Sequence, residues 1–375
     1  MGMWIVILLV AIVMLGAGVV YMTVCFSRFS LIKKLAGESK KKEKIFGLLC
    51  VAVLGTALCL VFSLVNAVIV IVNLMLFFII ANIIAFAVRK ALKKERRLYI
   101  EGGIALILCA VYLCIGYFLA NNVWEKNYTL STDKSTGNIR IIQLADSHIG
   151  TTFDGKGLGK YVDEMNEKDP DIVVITGDFV DDGTMKQDMI DACAALGRLK
   201  TKQGVYFCFG NHDKGYYSNE QRGYTKDDLE AELEKNGVTV LEDELVFLDN
   251  NVCIIGRADK SEELENRNGS RKSIAELMQG VDKSAYTVVL DHQPNDYTAE
   301  AEAGADLVLS GHTHGGQMLP INRIGELIGA NDYTYGHKTI DSTDFIITSG
   351  ISDWEIAFKT GCKSEYVVID IEGKR

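Results

Sequence analysis

The stretch Ala305-Asp-Leu-Val-Leu-Ser-Gly-His-Thr-His-Gly-Gly-Gln317 places two of the chain's six histidines, His312 and His314, one residue apart between glycines. Leu307–Leu309 reads as a buried strand that stops in a tight loop. Glycines at such a stop permit positive φ and close backbone approach, so both imidazoles can be aimed at something small lying against the loop. A metal ion is the obvious candidate, although His-x-His alone would equally suit a pair of exposed loop histidines.

Four further apolar runs end in polar clusters of the same type. They are Asp146-Ser-His148, Gly177-Asp178-x-x-Asp181, Gly210-Asn211-His212-Asp213 and Asp291-His292. Each alone reads as a helix cap or a turn. Jointly they do not, because caps and turns have no reason to take five of six histidines. Strands are expected at Ile139–Leu144, Ile172–Ile175, Val205–Phe209, Val252–Ile255, Tyr286–Leu290, Leu307–Leu309, Phe345–Thr348 and Tyr366–Ile369. Helices are expected between them at Leu158–Lys168, Met185–Lys200, Asp227–Asn236, Ile274–Gln279 and Asn295–Ala303. This is an α/β pattern suited to one large domain over 139–375. In open α/β sheets ligands bind beyond the carboxyl ends of strands, so the five loops can converge on one crevice.

The first third of the chain is different. Residues 1–27, 45–88 and 102–124 carry no charge. A spanning helix needs about 20 apolar residues, so a transmembrane region over 1–120 is predicted, with four helices near 4–26, 45–63, 67–88 and 104–120. Arg28, Lys33, Lys34, Lys40, Lys41, Lys42 and Lys44 fill the first loop, and Arg89, Lys90, Lys93, Lys94, Arg96 and Arg97 the second. Both loops are expected in the cytoplasm, which places everything after Asn121 outside it, in a multi-pass protein of the cell membrane. The polar segment 121–138 reads as a flexible stalk. Residues 1–124 carry 13 Lys and Arg against Glu38, Glu43, Glu95 and Glu101, a balance of +9 in a chain of net charge −10, which leaves −19 for the rest. That repels nucleic acid, and an anionic substrate would need local positive charge of the kind metal ions supply.

Other chemistries lack their parts. Gly150-Thr-Thr-Phe-Asp-Gly-Lys156 matches part of a P-loop, but Gly157 stands where Ser or Thr is required. The nine cysteines are scattered and suggest packing.

The ordered set Asp146-x-His148, Gly177-Asp178-x-x-Asp181, Gly210-Asn211-His212-Asp213, His292 and Gly311-His312-x-His314 resembles the calcineurin-like metallophosphoesterase family over about Ile139–Ile371. His314-Gly-Gly-Gln317 is similar to its membrane-anchored branch. Ser147, where leucine is common, and Asp291 before the fourth-motif histidine depart from the pattern without removing a ligand. The resemblance implies two mixed β-sheets sandwiched between helices, with two divalent metal ions at the strand ends. It assigns Asp146, His148, Asp178 and His314 to one ion and Asp178, Asn211, His292 and His312 to the other. His212 is left as a general acid with Asp213 orienting its ring, and Asp181 as a support behind the ligands. Mixed imidazole, carboxylate and amide ligands suit Mn, Fe, Zn or Co better than Mg or Ca. The expected function is hydrolysis of a phosphate ester or pyrophosphate, on a phosphorylated small molecule or a lipid or envelope precursor. A membrane receptor or transporter subunit that binds a phosphorylated ligand without turnover is the competing reading, and oligomeric state stays open.

Overall fold

A computed structural model describes residues 2–93, 98–217, 219–264 and 269–374. Two compact units divide the chain, Met1–Gly116 and Tyr117–Arg375.

In the first unit, helices cover Gly2–Ser27, Lys40–Val61 and Leu64–Leu92, and a further helix runs over Ile100–Asn121. Among the described residues three helices are long and apolar enough to cross a membrane. A fourth span is reached if Leu15–Ser27 and Ser30–Ala36, bent by 82°, count as one broken span. The break after Val61 is set by Ser63, whose side chain caps the next helix by accepting from Asn66 N–H. Asn82 Nδ2 donates to the hydroxyls of Tyr21 at 3.0 Å and Tyr99 at 3.1 Å, the interhelical bonding that apolar surroundings favour. Lys94, Arg96 and Arg97 of the second basic loop lie outside the described residues.

The second unit contains twelve strands among its described residues: β1 (Val123–Ser131), β2 (Asn138–Leu144), β3 (Ile172–Thr176), β4 (Val205–Cys208), β5 (Val238–Val240), β6 (Glu244–Leu248), β7 (Val252–Gly256), β8 (Tyr286–Leu290), β9 (Leu307–Ser310), β10 (Gly336–Ile340), β11 (Thr343–Ile347) and β12 (Ser364–Glu372). They form two mixed six-stranded sheets, ordered β1-β12-β2-β3-β4-β5 and β10-β11-β9-β8-β7-β6. β2 to β5 run parallel in the first sheet, and β7, β8, β9 and β11 in the second.

Alternation along each strand builds three apolar layers. Ile141, Ile172 and Val174 face Val288, Leu290, Leu307 and Leu309 between the sheets. Ile142, Leu144, Val173 and Ile175 point the other way, against Leu158, Val162, Met165, Met189 and Leu229 on helices Leu158–Asn166, Lys186–Leu196 and Lys226–Lys235. Cys253, Ile255, Val289 and Val308 pack on Ile274, Leu277 and Tyr297 beyond the second sheet. Burial on both faces is why the central strands read as continuous apolar runs.

The expected coil at 121–138 is corrected over half its length. Val123–Ser131 pairs in parallel with β12, Val123 opposite Ser364 and Ser131 opposite Glu372. It is an edge strand. Leu130 is buried and Tyr128 packs against the inner layer, while exposed Asn127, Thr129 and Ser131 alternating with them make the segment look like a loop.

Candidate metal centre

The loops after β2, β3 and β4 of the first sheet and after β8 and β9 of the second meet at the carboxyl ends of the strands. Five of their side chains sit on left-handed backbone: Asp146 (φ 52°), His148 (36°), Asp178 (50°), His312 (68°) and His314 (47°). Each such residue costs on the order of 1–3 kcal/mol, so the surrounding structure must over-determine it. It does. Asp146 N–H donates to Gly177 O at 3.0 Å, His148 N–H to Asp178 O at 3.1 Å, and His312 N–H to both Asp146 carboxylate oxygens at 2.9 and 3.1 Å. Two glycines make the close approach possible: a Cβ on Gly210 would lie 2.3 Å from Asp178 Oδ1, and one on Gly311 2.6 Å from Asp146 Oδ2.

Asp146, His148 and His314 bring one ligand atom each to within 4.8 Å of one another, and Asp178, His292 and His312 do the same. Asp178 stands between the groups. Its Oδ2 is 3.0 Å from His292 Nε2 and 3.8 Å from His148 Nε2.

The hydrogen bonds behind these rings point their lone pairs inward. His292 Nδ1 lies 2.8 Å from the Thr176 carbonyl, which can only accept, so Nδ1 carries a proton and the neutral ring presents its lone pair at Nε2. That lone pair meets Asp178 Oδ2 and, at 3.2 Å, Asn211 Oδ1. Asn211 Nδ2 donates to Tyr216 Oη at 2.9 Å, which fixes its oxygen toward the ring. Burial opposes charge on His292, yet the Asp178 carboxylate beside it pushes its pKa well above the usual range, so this spot draws positive charge, whether a proton on Nε2 or a metal ion. At the other group, His148 Nδ1 is 3.1 Å from Asp181 Oδ2, while His148 Nε2 and His314 Nδ1 are buried without a hydrogen-bond partner. Orphaned buried nitrogens of this kind fit a metal ligand set. Burial lowers the His312 pKa to about 3 and drives that of His314 well below the usual range, keeping both imidazoles neutral as ligation requires.

The expected partnership of Asp213 with the His212 ring is corrected. Buried Asp213 accepts backbone N–H from Gly210, Asp178, Phe179 and Val180 at 2.7–3.0 Å, so both of its oxygens tie the third-motif loop to the second. His212 is flanked instead by aromatic rings. Trp354 lies 4.6 Å and Tyr216 5.1 Å from it between centroids. Trp354 comes from the loop after β11, which carries no ligand and was not anticipated. Ile351 N–H donates to Ala145 O at 2.9 Å and Ser352 N–H to Asp146 O at 3.2 Å, docking this loop against the first motif. Buried Lys359 holds it by donating to Ser349 O at 2.7 Å and Ser352 O at 2.9 Å. An apolar strand closed by a glycine, Ser349-Gly350, is the same signal that marks the loops after β3, β4 and β9.

Asp291 turns away from both groups into a buried ionic cluster, 2.8 Å from Arg257 and also paired with Arg271. His337 lies on β10, 2.8 Å from Asp344, and is not brought to the site. All nine cysteines are free.

The family model described as calcineurin-like phosphoesterase matches residues 139–316. A metallophosphoesterase of Aquifex aeolicus (strain VF5) is 32% identical over 280 residues, which cover 72% of this chain and 98% of that protein. One of Helicobacter pylori (strain J99) is 30% identical over 270 residues, 68% of this chain and 69% of its own length. A Bos taurus transmembrane protein with a metallophosphoesterase domain is 27% identical over 293 residues, 73% of this chain but only 63% of its own length. With these likenesses beside the ligand geometry, the chain belongs to the calcineurin-like phosphoesterase family, in its membrane-anchored branch.

Proposed function

We propose that this membrane-anchored metallophosphoesterase hydrolyses phosphate ester or pyrophosphate bonds outside the cytoplasmic membrane, on a phosphorylated small molecule or a lipid or envelope precursor. The observation that carries the reading is the convergence of two groups of candidate metal ligands, Asp146, His148 and His314 in one and Asp178, His292 and His312 in the other, with Asp178 between them. Asp146, His148, Asp178 and His314 would hold one ion, and Asp178, Asn211, His292 and His312 the other. Mn, Fe, Zn and Co all suit that donor set. Two such ions supply charge neutralisation for phosphoryl oxygens and make water a competent nucleophile near neutral pH.

The chain's own groups do the rest. Asp181 and the Thr176 carbonyl fix the tautomers of His148 and His292. Asp213 locks the second and third loops together, so the spacing of Asp178 and Asn211 is set before substrate arrives. His212, whose ring is not needed for either group, would donate a proton to the leaving oxygen. Trp354 and Tyr216 restrict its ring orientation. The external location rests on the 13 basic residues of the first 124.

The test is turnover by the purified full chain with Mn on phosphomonoester, phosphodiester and pyrophosphate substrates. Hydrolysis abolished by EDTA and restored by metal supports the reading. Two bound ions with no turnover across the panel would favour a non-catalytic binding module. Protease added to intact cells should digest the catalytic unit, whereas protection until lysis would reverse the sidedness.

A further inference from the structure

One exposed apolar segment borders the metal centre. Leu319, Ile321, Ile324, Leu327 and Ile328 are all exposed, Leu327 at 85% and Ile328 at 71%. Soluble surfaces scatter such residues singly, whereas five within ten positions mark an interaction site. The segment is held in this display, not loose. Gln317 Nε2 donates to Ile356 O at 2.9 Å, Leu319 N–H to Thr360 Oγ1 at 3.1 Å, Ala330 N–H to Gly325 O at 2.8 Å, and Thr334 N–H to Glu326 Oε1 at 2.9 Å. Between it and the centre lies a cavity of about 280 Å³ with walls of mixed character. Ile321 and Ile324 line it together with Gln317, Asn322, Asn331 and His312 of the second ligand group. A wall that combines aliphatic, amide and imidazole groups suits an amphiphile with a phosphorylated head.

We infer that Leu319–Ile328 inserts into the bilayer interface and that the cavity beside His312 receives the polar head of a membrane-held phosphoester. The inference rests on the phosphoesterase reading and adds the substrate's physical class and its route. The occupant is a bilayer because this chain is itself an integral membrane protein, so its catalytic unit works where lipid is the available apolar phase. The residue mix agrees. Isoleucines and leucines alternate with Asn322, Arg323 and Glu326, groups that remain hydrated at headgroup depth while the aliphatic side chains enter the acyl boundary. A soluble substrate would gain nothing from this display. A lipid whose phosphate must leave the headgroup plane to reach His312 gains an apolar surface beside the cavity that His312 lines.

Two readouts on the full chain test it. A fluorescent amino acid placed at position 327 in proteoliposomes should be quenched by phosphatidylcholine carrying a shallow nitroxide and shielded from aqueous iodide. The same probe at Lys235, on the exposed end of helix Lys226–Lys235, should show the reverse. Iodide quenching at 327 equal to that at 235 overturns the inference, and shielding from both quenchers overturns it in favour of a protein partner. Leu327→Asp and Ile328→Asp, neither of which lines the cavity, should each lower turnover of phosphatidic acid, a bilayer-held diphosphate or a phosphodiester lipid, whichever is hydrolysed, by about tenfold or more. Turnover of soluble bis-p-nitrophenyl phosphate should stay unchanged. Equal loss on both substrates contradicts delivery from the membrane. Failure of the wild-type chain to hydrolyse any phosphoester would refute the phosphoesterase reading instead, and the quenching result would still decide the docking.

Discussion

The two sheets contribute unlike chemistry to one centre. The first supplies Asp146, His148, Asp178 and Asn211, mostly oxygen donors, on loops pinned by backbone N–H groups; the second supplies only imidazoles, His292, His312 and His314. Neither sheet holds a complete ligand group. Asp146 and His148 need His314 from across the sandwich, and Asp178 needs His292 and His312. The centre is therefore a seam. Its precision depends on how the inner apolar layer sets the sheets against each other, and on the cross-sheet bond in which Gln143 donates to Ser310 O at 2.9 Å.

Asp178 is where the seam should break first. Asp178→Asn removes the charge shared by both groups and should lower kcat/KM by at least about 10⁴-fold, since metal ions supply several kcal/mol of transition-state stabilisation. The fold should persist by circular dichroism. Next in size is His212, which belongs to the first sheet but not to either ligand group. His212→Ala should keep metal and lose about 10²–10⁴-fold on an ester with a poor leaving group. Nitrophenyl phosphate should suffer less, because its leaving group needs little protonation; an equal loss on both would mean that His212 positions phosphate instead.

The loops were legible and their supports were not. Strands buried on both faces read as apolar runs, so a polar cluster closing each run stands out. Asp213 could not be read correctly because its sequence neighbour is His212, yet the Gly210 turn delivers its carboxylate to the N–H groups of Asp178, Phe179 and Val180. Trp354 escaped because its loop has no histidine or ligand aspartate. β1, β5, β6 and β10 escaped because all four are edge strands, which expose one side to water and lose the apolar signature.

Smaller changes sharpen the contrast between the sheets. Among the candidate ligands Asp181 supports only His148, its other oxygen accepting from Gly183 and Thr184 N–H, so Asp181→Ala should weaken metal at the Asp146 group by about 10–100-fold and leave the Asp178–His292–His312 group loaded, as read by competition with a chelator. Thr176 gives His292 the matching support through its main chain, beyond the reach of side-chain substitution. Trp354→Leu removes a ring packed closely on His212 at 4.6 Å and only distantly on His148 at 6.3 Å, so metal content should hold and the rate on poor leaving groups fall about 2–10-fold, the worth of one aromatic pair.

Metal counting by mass spectrometry on purified chains tests the two-sheet centre most directly. The wild-type chain should carry two ions, His314→Ala and His312→Ala one each, and Asp178→Asn fewer than either. A wild-type chain saturating at one ion, or an Asp178→Asn chain retaining two, would contradict a shared carboxylate at the seam.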